Sequence, residues 1–202
     1  MILRESRTLV AAAIAVAAAV HIFAGALPAL PFWAITLTLV WLFRDPPRHW
    51  NGRPLSLVSP VDGAVVAVAA LTDPYLMQPG HAVVLRGGWL GPYLLRSPIE
   101  GRVETAWSEW RDPQTAARRA GHAVSIRTDE GDEVVLAFAS RLPWPLMLRT
   151  SQGERIGHGH VFGLLPFGGL AAVMFAGHGR VLVAPGQRVA AGLDPVATLL
   201  HD

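Results

Sequence analysis

The chain contains no cysteine and no lysine among its 202 residues. Without thiols there can be no disulfide framework, thiolate zinc site, iron–sulfur cluster or cysteine nucleophile. All 17 basic residues are arginine, which excludes a Schiff-base lysine, a pyridoxal-phosphate anchor and a lipoyl or biotinyl attachment site. Charge is scarce as well, at 16% of residues with a formal net charge of only +2. The pI of 9.9 therefore reports arginines that keep their protons more than a large basic surplus. These arginines are dispersed and no aromatic stacking motif accompanies them, so nucleic acid is not an expected partner. What is abundant is apolar: 51% of residues are hydrophobic, enough to bury a core without covalent staples.

Much of that apolar content sits at the start. Between Thr8 and Phe43 no residue carries a formal charge, and only His21, Pro28 and Pro31 interrupt the run. One bilayer crossing needs about 20 apolar residues, so the segment predicts a transmembrane helical hairpin, with arms over 8–27 and 32–43 and a bend at 28–31. Arg4 and Arg7 precede it, and Arg44, Arg48 and Arg53 follow. Basic flanks at both ends predict that both face the cytoplasmic side of the cell (inner) membrane. Trp33, Trp41, Phe32 and Phe43 supply aromatics suited to the headgroup level. The competing reading is a buried core hairpin. The expected division is 1–50 for the anchor and its basic flank and 51–202 for a second domain.

After Trp50 the texture changes to short Val/Ala/Leu runs punctuated by Gly, Pro and Asp, which predicts a mainly β domain. Strands are expected within 64–70, 82–85, 122–127, 133–139, 171–175 and 180–183. One helical window stands out at 112–119, where Asp112 can cap, Pro113 fits the first turn and Arg118 and Arg119 lie near the end. Two internal echoes appear. Ser59-Pro60-Val61-Asp62-Gly63-Ala64-Val65 is matched by Ser97-Pro98-Ile99-Glu100-Gly101-Arg102-Val103, and Gly153-Glu154-Arg155-Ile156 with Gly159 by Gly186-Gln187-Arg188-Val189 with Gly192. Half-motifs of this kind occur in barrel-sandwich carrier domains. Without lysine the carrier role fails, and what remains is the architecture, a barrel-sandwich-like domain of two similar β halves.

Phe43-Arg44-Asp45-Pro46-Pro47-Arg48 directly after the hydrophobic run, followed by Val58-Ser59-Pro60-Val61-Asp62-Gly63, is a specific combination. Arg96-Ser97-Pro98-Ile99-Glu100-Gly101 and the stretch from Gly159 to Gly168 follow in order, and the end of the chain contains Gly186-Gln187-Arg188-Val189. Together these resemble the phosphatidylserine decarboxylases, most closely their short bacterial and archaeal forms, over nearly the whole chain. The resemblance implies a membrane-bound decarboxylase that makes phosphatidylethanolamine with a pyruvoyl group created by self-cleavage at a Gly-Ser bond. In that chemistry the serine hydroxyl attacks the preceding carbonyl, the ester eliminates, and the resulting ketone forms a Schiff base with the substrate amine.

Two departures bear on the chemistry. The family reads F-G-S where this chain has Phe167-Gly168-Gly169, so Gly169 stands in the serine's place and neither ester nor pyruvoyl group is expected. The nearest upstream serine, Ser151, follows Thr150 and lies outside the motif. Tyr93 stands where the family carries histidine, and a phenol with a pKa near 10 is a poor general base at neutral pH. Asp62 keeps the family's acidic position, although Pro-x-Asp-Gly is also an ordinary turn. The site positions carried over are thus Asp62, Tyr93, Gly168 and Gly169.

For phospholipid the candidates are Arg96, Arg118, Arg119 and Arg149, whose guanidinium forks fit phosphate, with Trp144 in a lipid-dipping 143–148 segment. Arg127 and Arg155 belong to the same dispersed set; ordinary solvated loops are the competing reading. His158, His160 and His178 lack a carboxylate at fixed spacing, so no metal is expected. Trp107 and Trp110 read equally well as core. The resulting expectation is a non-processing homologue that binds phospholipid, with phosphatidylserine or a related headgroup as ligand, or regulates its metabolism. Self-association is left open. The alternatives are an active decarboxylase with a non-standard or partner-supplied site, and a scaffold in a membrane complex.

Overall fold

The computed structural model describes residues 4–44, 48, 55–114, 118–140, 147–148, 150–177 and 179–200. The chain divides into two compact units, Met1–Pro47 and Arg48–Asp202.

The first unit is a pair of packed helices, α1 (Arg4–Ala24) and α2 (Ala26–Leu42). The bend lies at Gly25, three residues before the expected corner, and both prolines fall inside α2. Gly25 has φ +90, a conformation that L side chains avoid. Pro28, in the first turn of α2, gives up an N–H that has no intrahelical partner there anyway. Within α1 the stretch Arg7–Ala24 is long and apolar enough to cross a membrane, whereas α2 is a shorter apolar helix. Ile22, Phe23 and Leu27 are exposed, an outward-facing apolar surface unlike that of a core hairpin. Ala17 and Ala29 are fully buried, small residues of the kind that let helices approach closely.

The second unit is built from strands. In chain order they are β1 (Ser56–Val58), β2 (Gly63–Thr72), β3 (Pro79–Gly87), β4 (Leu94–Arg96), β5 (Gly101–Trp107), β6 (Trp110–Arg111), β7 (Arg118–Arg119) and β8 (His122–Arg127). There follow β9 (Glu133–Ala139), β10 (Met147–Leu148), β11 (Arg155–Ile156), β12 (Val161–Leu164), β13 (Leu170–Ala176), β14 (Gly179–Val181), β15 (Arg188–Val189) and β16 (Pro195–Leu199). Eight of them form one curled antiparallel sheet in the order β11-β5-β8-β9-β13-β3-β2-β15. Two three-stranded sheets, β1-β16-β14 and β10-β12-β4, and the β6-β7 ribbon complete the described set.

The large sheet is two matched halves meeting at β9 and β13. Each half enters through one of the repeated Ser-Pro turns, and the turns bond to each other: the Val58 N–H donates to the Pro98 carbonyl and the Arg96 N–H to that of Pro60, both at 2.9 Å. Ser59 Oγ donates to the Val61 carbonyl at 2.7 Å and Ser97 Oγ to that of Ile99 at 2.6 Å. The ladder breaks register between Val65 and Ala67 in β2 and at the equivalent place, between Val103 and Thr105, in β5. Gly63 and Gly101 sit where a Cβ would strike the backbone carbonyls of Arg86 and Arg127, so both echoes require glycine there.

The core alternates through the central strands. In β9, Val134, Leu136 and Phe138 join one cluster while Val135, Ala137 and Ala139 join another on the opposite face. With both faces covered, the strand reads as a continuous apolar run. Trp110 is fully buried in the second cluster and Trp107 packs against it.

The helix expected at 112–119 is not formed at its described ends. Asp112 Oδ1 accepts the Gln114 N–H at 3.0 Å, a local turn, and Trp110 and Arg111 then pair with Arg119 and Arg118 as a ribbon. Cross-strand pairing holds both ends of the segment more firmly than an isolated helix of eight residues, too short to be stable by itself, can. Phe138 is fully buried and meets Phe162 edge-on with ring centroids 6.5 Å apart. Phe138→Ala is expected to destabilise the second unit by about 3–5 kcal/mol, read as a lowered midpoint in denaturant unfolding of the full chain followed by near-ultraviolet circular dichroism.

Candidate functional site

The family-site positions meet around the end of β3 and the loop that follows it, residues 87–91. Gly87 and Gly88 bring this backbone close to its neighbours: the Gly88 N–H donates to the Asp62 carbonyl at 2.8 Å and the Gly87 N–H to that of Gly169 at 2.9 Å. The third position joins through a side chain, since Tyr93 Oη donates to the Trp89 carbonyl at 2.6 Å. Tyr93 also packs against Phe167, ring centroids 5.2 Å apart, and its carbonyl accepts the Leu165 N–H at 2.8 Å. Asp62, Tyr93 and Gly168–Gly169, far apart in sequence, are thus gathered around one short loop.

Each position makes specific contacts within the fold. Asp62 Oδ2 accepts from Arg48 Nη2 at 2.7 Å and Oδ1 from the Ala191 N–H at 3.1 Å, while Arg48 Nη1 donates to the Ala191 carbonyl. The carboxylate therefore clips the turn before β16 to the segment before β1. Burial pushes the Tyr93 phenol above its ordinary value of 10.0, so it stays protonated at neutral pH and acts as a donor. Phe167 and Gly168 are consecutive left-handed residues with φ 56 and 67, a strained conformation for a bulky side chain. At Gly169 a Cβ would lie 2.6 and 2.7 Å from Cδ1 and Cγ of Leu165 and 2.9 Å from the Ala139 carbonyl oxygen. A serine-derived group does not fit this corner unless buried Leu165 and the neighbouring backbone give way.

Above the loop lies an open cleft of about 610 Å³, lined by Asp62, Arg86, Gly88, Trp89 and Arg188 among others. Arg86, Arg188 and Trp89 were not singled out as site residues from the sequence. The echo that contains Arg188 carried a signal for it, but Arg86 belongs to no motif. Of the lipid-binding candidates only Arg96 has a described side chain, and it is not among the residues that line this cleft. Arg96 is 8% exposed and its Nη1 donates to the Gly159 carbonyl at 2.8 Å, a use inside the fold. Arg118 and Arg119 form β7, but their side chains lie outside the described residues, as do Arg149, Trp144 and His178. His158 Nε2 donates to the Ser56 carbonyl at 3.1 Å and His160 is exposed. Among the described residues no group of three or more metal-ligating side chains comes together.

No protein-family model matches the chain. It is similar to curated proteins along nearly its full length. It is 32% identical to the phosphatidylserine decarboxylase proenzyme of Nitrosomonas europaea, over 94% of this chain and 91% of that protein. The corresponding proenzyme of Nitrosomonas eutropha is 30% identical, over 95% and 92%, and that of Aromatoleum aromaticum 29%, over 98% and 96%.

Two expectations follow from the geometry. Removing one partner of the Arg48–Asp62 pair strands the other against the fold, so Asp62→Ala is expected to cost about 1–3 kcal/mol, measured by urea unfolding. The second concerns pH. His158 and His122 are both held below their ordinary value of 6.5, chiefly by burial. The folded chain then keeps them neutral while the unfolded chain takes up protons, so stability is full above pH 6.5 and declines as pH falls through that value toward the folded one. The thermal midpoint is expected to drop between pH 7.5 and pH 5.5, and His158→Gln to flatten that slope.

Proposed function

Because the chain belongs to the phosphatidylserine decarboxylase family, we propose that it is a non-processing member, without a pyruvoyl group, that uses the family fold to bind phospholipid at a membrane. The observation that carries this reading is the corner at Gly169. The family's reaction needs a side-chain oxygen there to attack the preceding carbonyl, and this chain has neither the oxygen nor the space for its Cβ. Two further features support it. Tyr93, in the histidine's place, holds its proton and directs it at the Trp89 carbonyl. Asp62, the remaining acidic position, is bound by Arg48 and the Ala191 amide.

Membrane attachment comes from α1, whose Arg7–Ala24 stretch is long and apolar enough to span. Arginines stand at both ends of the helix pair, Arg4 and Arg7 in the first turns of α1 and Arg44 and Arg48 after α2, which supports a cytoplasmic location for the β unit at the inner membrane. The ligand class in this reading is a phospholipid of the phosphatidylserine type, held at the cleft beside Asp62.

Intact-mass spectrometry of the purified chain, with and without hydroxylamine, tests the proposal. A single species of 21.7 kDa with no trappable carbonyl is expected. Two fragments, the smaller carrying a carbonyl, would instead establish a working decarboxylase with a non-standard or partner-supplied site. Gly169→Ser is expected to leave the chain in one piece and to destabilise it by about 1–3 kcal/mol through overpacking against Leu165.

A further inference from the structure

The two halves of the large sheet serve as controls for each other, and at one row of residues they differ in charge. In one half, Arg127, Arg102 and Arg155 stand side by side across β8, β5 and β11. The matched row in the other half is Arg86, Ala64 and Arg188 across β3, β2 and β15. Directly opposed residues in an antiparallel sheet point to the same face, so each row presents its arginines together. In the first half the two outer arginines, the counterparts of Arg86 and Arg188, are paired: Arg127 bonds Glu133 at 3.1 Å, and Arg155 bonds Glu100 at 3.0 Å and Asp129 at 2.5 Å.

The second half lacks that compensation. Among the described residues neither Arg86 nor Arg188 has an ion-pair partner. The acid equivalent to Glu100 is Asp62, and Arg48 occupies it at 2.7 Å. Asp194, which also lines the cleft, turns its Oδ2 back to the Ala190 amide at 2.8 Å. The central arginine of the row has become Ala64, which opens a gap between two guanidinium groups whose strands lie about 10 Å apart. Arg86, Ala64 and Arg188 all line the cleft of about 610 Å³. Beside them Trp89 is 54% and Leu90 75% exposed, an apolar pair on the same loop that carries the family-site contacts.

We propose that Arg86 and Arg188 form a clamp over Ala64 for the phosphate group of a phospholipid, with Trp89 and Leu90 meeting its apolar part. This rests on the reading of the chain as a phospholipid binder and names the residues that do the binding. Two guanidinium forks can each donate a pair of hydrogen bonds to phosphate oxygens. Two facing cations without a counterion repel each other, so an anion seated between them relieves a cost that the other half removes with its own carboxylates. The indole and leucine side chains supply the amphipathic border found where lipid and water meet.

The test is calorimetric titration of the full chain in neutral detergent micelles with short-chain phosphatidylserine, and separately with inorganic phosphate. The clamp predicts that Arg86→Gln/Arg188→Gln weakens lipid binding at least tenfold, that Arg86→Lys/Arg188→Lys gives an intermediate loss, and that Arg127→Gln, at the matched position, has no effect. Trp89→Ala should weaken the lipid and leave phosphate unchanged. Unaltered lipid binding by the double glutamine variant would overturn the clamp while leaving phospholipid binding itself intact. Absence of lipid binding by the unmodified chain would instead remove the functional reading on which the clamp depends. Inorganic phosphate bound as tightly as the lipid, and lost in the double variant, would overturn the lipid assignment in favour of free phosphate.

Discussion

The β unit depends on one reciprocal exchange of backbone hydrogen bonds. Val58 donates to Pro98 and Arg96 to Pro60, so the two Ser-Pro turns clasp each other. Net of solvent such bonds contribute little individually, on the order of 1 kcal/mol. Their weight is geometric, because a proline has no N–H and can join a clasp only through its carbonyl. Once the turns are fixed, the flanking elements follow in pairs. The Gly192 amide reaches Ser59 and the Gly159 amide reaches Ser97; Gly186 bonds Val65 and Gly153 bonds Val103. The buried strands β9 and β13 then pair where the halves meet.

That duplication frees one half to diverge. A sheet edge that carries several arginines needs counterions or exposure, and the half around Arg155 supplies Glu100, Asp129 and Glu133. The other half has spent its equivalent carboxylate, Asp62, on fastening Arg48 and the Ala191 turn. Stability and cleft charge are coupled at this one residue: the carboxylate that secures the start of the β unit is engaged there, and among the described residues Arg86 and Arg188 have no ion-pair partner. The corner at Phe167, Gly168 and Gly169 shows a similar economy. Its backbone is strained, yet the space in front of Gly169 is filled by Leu165 rather than by a reactive group.

Much of the architecture was legible in the sequence because its causes are local. An uncharged run between arginines means helices suited to a membrane, and short apolar runs between glycines mean strands. The repeated Ser-Pro-x-acid-Gly turns appear twice in the text and twice in the fold, with the same serine bonds. The failure at 112–119 was also physical, since Asp112, Pro113 and terminal arginines favour helix only while nothing competes, and pairing of Trp110 with Arg119 does compete. The bend of the helix pair went to Gly25 rather than to Pro28 because a positive φ is a stronger demand than a missing first-turn N–H.

The sequence by itself determined the helix pair, the longer strands, the family and the missing hydroxyl at Gly169, since each is carried by residue identity or by spacing along the chain. It did not determine which carboxylate neutralises which arginine, that Tyr93 donates to Trp89, that Arg96 is consumed inside the fold, or that Leu165 closes the corner at Gly169. Those depend on how the strands and turns come to lie against one another, even where the partners are near in sequence: Tyr93 and Trp89 are four residues apart, whereas Arg96 and Gly159 are 63 apart. Register is decided only when the whole sheet curls and buries both faces of its central strands, so the cleft and the two arginines brought to it, Arg86 and Arg188, belong to the tertiary structure alone.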